Sequence, residues 1–186
     1  MQKYLLVLDI NDTLLTKFKY NTYYLIDKLN TDLKGEIYIL DNCKILKRQY
    51  SDIFLKYISE HNLDYIFWST AFKRNIKKMI PYLELCGYTS YLGYLGQEEC
   101  EEGILTDKIK TKMNKKNLKV VSKIFNINIE HCILIDNDEN KRVGNQNFIK
   151  VEDTCPFKKD IGFINLCKKI DNYINCKDDC TIKRIF

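Results

Sequence analysis

Three places in this sequence put carboxylate, amide or hydroxyl groups where phosphoryl chemistry can use them. Asp9, in Asp9-Ile10-Asn11-Asp12-Thr13, is a candidate carboxylate nucleophile or metal ligand. Ser69, in Phe67-Trp68-Ser69-Thr70-Ala71, offers a hydroxyl donor. Asp136, Asn137 and Asp138 are consecutive oxygen donors of the kind that hard Mg²⁺ prefers. Lys116, upstream of this last group, is the lysine best placed to balance the negative charge. A carboxylate to attack phosphorus, Mg²⁺ to bind nucleophile and phosphate, and a cation with donors for the remaining oxygens together describe a phosphoryl-transfer site.

Each of the three groups closes a short apolar run. Lys3–Leu8 (KYLLVL) runs into Asp9, Leu63–Trp68 (LDYIFW) into Ser69, and Cys132–Ile135 (CILI) into Asp136. Continuous apolar runs of this length read as strands buried on both faces. Between them lie segments with helical spacing: Tyr50–His61, with Ile53, Phe54, Tyr57 and Ile58 behind a Ser51 cap; Lys73–Leu85; Asn114–Phe125; and Asp160–Ile174. Strands alternating with helices predict an α/β fold with a parallel sheet, whose ligands bind beyond the carboxyl ends of the strands. Residues 20–48 read as a small antiparallel excursion with its turn at Lys34-Gly35-Glu36, and residues 175–186 as a loosely held tail.

Composition narrows the classes. With 186 residues, 45% hydrophobic, 12% aromatic and 30% charged, the chain reads as one folded domain over 1–186, not as a disordered protein. No apolar run approaches the ~18 residues of a membrane span, and the first acid, Asp9, comes too early for a secretory leader. The expected location is therefore intracellular, in cytoplasm or nucleus. A net charge of +5 permits an anionic partner without demanding one. The lysines at 73–78 and 108–119 read as solvated helix faces, because no aromatic-basic pattern accompanies them; nucleic acid is not the favoured partner. Eight cysteines without CxxC spacing, and without histidines at finger spacing, read as reduced, mostly buried thiols.

These residues resemble a known family. Leu5–Leu14 (LLVLDINDTL) resembles motif I, Asp-x-Asp-x-Thr, of the haloacid-dehalogenase (HAD) superfamily. Its form is that of the FCP/SCP, or NLI-interacting-factor-like, phosphatases of the RNA polymerase II C-terminal domain. Phe67–Ala71 resembles motif II, Lys116-Asn117-Leu118 motif III, and Ile133–Asp138 with Asn147-Phe148-Ile149 motif IV and its trailing segment. Ile45–Arg48 resembles the stretch before motif II, with Gln49 where the family carries proline. Four motifs in order cover most of the chain.

The resemblance implies a Rossmann-like HAD fold with a small insert after motif I and no large cap. That leaves the site open to phosphoproteins or other accessible phosphomonoesters. It implies that Asp9 attacks phosphorus to form an aspartyl-phosphate, that Thr13 holds the motif I loop, and that Ser69 and Lys116 bind phosphoryl oxygens. Mg²⁺ would be held by Asp9, the backbone carbonyl of Asn11, and a side chain from Asp136 or Asn137. The oligomeric state is not implied.

One departure stands out. The family's second motif I aspartate, its general acid, is Asn11 here. An amide has no proton to donate near neutral pH and cannot activate water. Asp12 is adjacent, but neighbours on an extended segment point to opposite sides, which argues against its standing in. Three readings of Asn11 follow: an introduced substitution that stalls the reaction, a natural pseudophosphatase serving as a binding module, or an enzyme for esters with good leaving groups. A polynucleotide 3′-phosphatase is a further alternative, since the same site would serve any accessible phosphomonoester.

Overall fold

Leu5, Leu6, Val7 and Leu8 have no exposed surface, which a strand achieves only when both faces of its sheet are covered. The computed structural model describes residues 3–29, 37–41, 43–104 and 112–182. In chain order the strands are β1 (Leu5–Leu8), β2 (Leu15–Lys19), β3 (Ile37–Leu40), β4 (Cys43–Lys47), β5 (Asp64–Trp68), β6 (Tyr94–Leu95), β7 (Glu101–Ile104), β8 (Lys112–Lys115), β9 (Cys132–Asp136) and β10 (Phe148–Lys150). The helices are α1 (Ser51–Glu60), α2 (Lys73–Leu85), α3 (Leu118–Phe125) and α4 (Gly162–Ile182). Five strands form a wholly parallel sheet in the order β10-β9-β1-β5-β6, so β1 is central.

Side chains alternate across this sheet, and the two faces bury different layers. Leu6, Leu8, Tyr65, Phe67, Ile133 and Ile135 pack with residues of α1, α2 and α4, including Phe54, Ile76 and Phe163. Leu5, Val7, Ile66, Trp68, Cys132 and Leu134 pack with Leu118 and Val121 of α3. Leu8 is in register with both Phe67 and Ile135, so Asp9, Ser69 and Asp136 emerge at one carboxyl edge. The expected parallel α/β architecture is the observed one.

The excursion after β1 is a three-stranded antiparallel sheet, β2-β4-β3. The first part of the 20–48 excursion is not a strand: Tyr20–Lys28 forms a 3-10 helix that covers one face of the small sheet with Ile26. The expected turn at 34–36 lies outside the described residues. No larger cap exists among the described residues. A second antiparallel pair, β7-β8, has no counterpart in the sequence reading.

That pair corrects the helix expected over Asn114–Phe125, which begins only at Leu118 behind an Asn117 cap. Ser51 does not cap α1; Tyr50 holds that position with φ 60°, and the Ser51 hydroxyl donates to the Arg48 carbonyl instead. Ile53 lies on the exposed side of α1. The last helix starts at Gly162 and continues past Ile174 to Ile182. Seven of the eight cysteines are free thiols, and of these seven Cys86 and Cys132 are buried, fewer than expected. No described helix is long and apolar enough to cross a membrane.

Candidate active site

The chain leaves β1 through a loop tied down at almost every carbonyl. The Ile10 carbonyl accepts from the Leu14 amide, the Asp12 carbonyl from the Thr154 amide, and the Thr13 carbonyl from Arg48 Nη1 at 3.0 Å. None of these bonds ends on the Asn11 carbonyl. Arg48 is itself buried and paired with Asp160, whose Oδ1 takes Arg48 Nη2 at 3.0 Å. Gln49 brackets the same corner: its Nε2 donates to the Lys158 carbonyl and its Oε1 accepts from the Asp160 amide.

Asp9, Lys116, Asp136 and Lys141 close a ring of alternating charge. Lys116 Nζ lies 2.5 Å from Asp9 Oδ1 and 2.6 Å from Asp136 Oδ2. Lys141 Nζ lies 2.9 Å from Asp136 Oδ1 and 3.5 Å from Asp9 Oδ2. Two carboxylates and two ammoniums make the ring neutral. Burial pushes the Asp9 carboxyl above the ordinary carboxylate range, and Asp136 adds to this, while Lys116 and Lys141 oppose it. Burial works against the charge of Lys141, but Asp9 and Asp136 outweigh it and hold that ammonium above the usual lysine range.

Lys116 reaches the ring because it follows β8 in extended backbone, bridged to Arg142, instead of lying in a helix. Its amide donates to the Lys141 carbonyl at 2.6 Å, and Gln146 accepts from the Leu118 amide while donating to the Lys116 carbonyl. Alternation along extended backbone then sends Lys116 inward and lays Lys115 against Gly103, where an added Cβ would meet the Lys115 side chain.

Of the expected site residues, Asp9, Thr13, Lys116, Asp136 and Asn137 come together. Thr13 Oγ1 lies 3.3 Å from both Asp9 Oδ2 and Asn137 Oδ1. The Asn137 amide is oriented by Asp153, which accepts from Nδ2 at 2.9 Å and so turns Oδ1 toward Thr13. Asn11 stands at the same tip, bridged to Leu15, with its Oδ1 buried and unpartnered among the described residues. Ser69 is buried at the neighbouring strand end, but its hydroxyl accepts from the Ala71 amide and makes no bond to the ring among the described residues. Asp136 spends both oxygens on lysines, and Oδ1 also takes the Asp138 amide.

Asp12 departs from the extended geometry the sequence suggested: its φ is 59°, in the left-handed region. Desolvation, then the charges of Asp153 and Asp9, push its carboxyl upward. Lys141 is the site residue that sequence reasoning missed. The short turn Glu139–Lys141 carries it back to the ring, five residues beyond Asp136.

The donors fit a hard divalent ion. Asp9 Oδ2 and Asn137 Oδ1 converge on one hydroxyl, the available donors are oxygens, and the Asn11 carbonyl accepts no hydrogen bond among the described residues. No trio of histidine, cysteine or acidic side chains forms a metal cluster among the described residues.

A parallel sheet whose central strand ends in a buried, lysine-paired aspartate, with a small antiparallel insert following, defines the HAD class. The chain belongs to the NLI interacting factor-like phosphatase family, which matches residues 4–181. Among solved structures, fission yeast RNA polymerase II CTD phosphatase Fcp1, as an arginine-to-alanine variant bound to beryllium fluoride, is similar with a TM-score of 0.57 at 18% identity, over 82% of this chain and 42% of its own. A second structure, of Fcp1 described as an essential RNA polymerase II CTD phosphatase, gives 0.59 at 17% identity over 94% and 48%. This chain spans less than half the length of either, and at such identity the likeness is one of fold. No curated protein matches the sequence.

Proposed function

We propose that this chain is a Mg²⁺-dependent phosphatase acting on Ser/Thr phosphate of phosphoproteins in the cytoplasm or nucleus, both of its half-reactions slowed by Asn11. The observation that carries the reading is the setting of Asp9: buried, level with two other strand ends, one oxygen held by Lys116 and the other facing Thr13.

Lys116 favours the ionised form of Asp9 against its burial and orients it, and Asp136 holds both lysines in place. Asp9 attacks phosphorus; the new P–O bond to Asp9 forms as the bond to the ester oxygen breaks. Ser69 and Lys116 take the phosphoryl oxygens. Mg²⁺ would be held by Asp9, the Asn11 carbonyl and Asn137, neutralising charge between nucleophile and phosphate. Asn137 is preferred to Asp136 for this because both Asp136 oxygens are committed. Asn11 has no proton for the departing oxygen, so alkyl esters leave slowly and hydrolysis of the phosphorylated Asp9 lacks a base.

The same amide supports a second reading, a pseudophosphatase that binds phosphorylated partners without turnover. Rates on a phosphoserine peptide and on a 3′-phosphorylated oligonucleotide, with Mg²⁺, for the chain and for Asn11→Asp, separate the readings. A restored general acid should raise turnover by about 10²–10⁴-fold, and on the peptide more than on the oligonucleotide. No turnover by Asn11→Asp on either substrate would leave the binding module.

A further inference from the structure

Within the ring, the two lysines are not equivalent. Lys116 has no exposed side-chain surface and spends two short bonds on carboxylates, whereas Lys141 keeps 16% of its side chain exposed and touches Asp9 Oδ2 only at 3.5 Å. Of the two lysines, Lys141 is therefore the one with surface left for a ligand. Its long flexible stem lets the ammonium move while Asp136 Oδ1 still holds it at 2.9 Å. Position matters as well: Asp9 Oδ2 is the oxygen that shares Thr13 with Asn137, so Lys141 stands beside the oxygens a divalent ion would use.

Charge points the same way. With Asn11 in place of an acid, Asp9 and Asp136 are the only ring carboxylates, and Lys116 and Lys141 already balance them. An aspartate at position 11 would make the site one unit more negative and more repellent to a phosphate dianion. Even with Asp12, Asp138 and Asp153 nearby, the amide at position 11 leaves the site less repellent to an anion while both lysines are kept.

We propose that Lys141 is a phosphoryl-binding cation of this site, through which the chain holds a phosphomonoester with no divalent ion bound, and that Lys141 and Mg²⁺ compete for Asp9 Oδ2. This rests on the phosphoryl-site reading above. It assigns Lys141 a binding role, and it makes affinity for phosphate separable from affinity for metal.

Calorimetric titration of the whole chain with orthophosphate, in chelator and then in Mg²⁺, tests it, with Mg²⁺ titrated separately. The chain should bind phosphate in chelator. Lys141→Met should weaken that binding by about 10-fold or more, as expected for a lost charge-assisted hydrogen bond, and should tighten Mg²⁺. Lys141→Arg, which keeps the charge, should retain phosphate binding within a few-fold. A merely structural lysine would move both affinities in the same direction. Equal phosphate binding by the chain and Lys141→Met would overturn the proposal and leave the phosphoryl-site reading intact, as would binding seen only with Mg²⁺. No phosphate binding under any condition would overturn both.

Discussion

Arg48 Nη1 donates to the Thr13 carbonyl at 3.0 Å, tying the end of β4 to the loop that carries Asp9. The guanidinium is buried against Asp160, so its removal strands a carboxylate and a carbonyl in the interior. Arg48→Met should therefore cost about 3–5 kcal/mol, measured by urea unfolding. Gly162 leaves the room: a Cβ there would lie 2.0 Å from Arg48 Nη2 and 2.9 Å from Asp160 Oδ1. Gly162→Ala should destabilise by about 1–3 kcal/mol. Unchanged midpoints in both variants would show that the corner does not brace the loop.

Lys116 and Lys115 are neighbours with opposite expected effects. Lys116→Met leaves Asp9 and Asp136 buried with one lysine between them and should cost several kcal/mol near neutral pH. Lys115→Met, at a position packed outward on Gly103, should change stability by less than about 0.5 kcal/mol. Thermal melts of the two variants decide; equal shifts would contradict the inward assignment of Lys116.

Asp12 sets a pH dependence. Its carboxyl is raised by desolvation and by Asp153 and Asp9, so the folded state holds its proton more tightly than the unfolded chain. The sign follows: ionised Asp12 lowers stability above its folded pKa, and the penalty fades as pH falls toward the unfolded value. Asp12→Asn also suits φ 59° and should stabilise at neutral pH, by under about 1 kcal/mol because the residue is exposed and solvent screens its charge. The gain should shrink as the pH is lowered toward about 4. A gain that grew in acid would contradict the assignment.

Much of this was legible in the sequence because apolar runs of four to six residues, each ending in a polar tip, have few other uses than parallel strands. Leu5–Leu8, Asp64–Trp68 and Cys132–Asp136 are the three core strands, and register then aligns Asp9 with Asp136 without further information. What was not legible depends on pairing between distant segments. Lys112–Lys115 has the charge pattern of a solvated helix face and becomes a strand because Glu101–Ile104 pairs with it. Lys141 carries no local signal of burial; it is drawn in by Asp9 and Asp136, which lie far from it or across a turn. At Asp12 the extended backbone on which the alternation argument relied is replaced by a left-handed φ, which sequence does not reveal at a single residue.

The central claim is that Asp9 accepts a phosphoryl group and that Asn11 stalls its release. Rapid mixing with nitrophenyl phosphate and Mg²⁺ tests this most directly, because nitrophenolate departs without a proton. The account predicts a burst of nitrophenolate stoichiometric with protein, then a slow steady state with phosphate retained on Asp9. Asn11→Asp should convert the burst into sustained turnover, and Asp9→Asn should abolish both phases. No burst from the unmodified chain, with no turnover restored by Asn11→Asp, would contradict it.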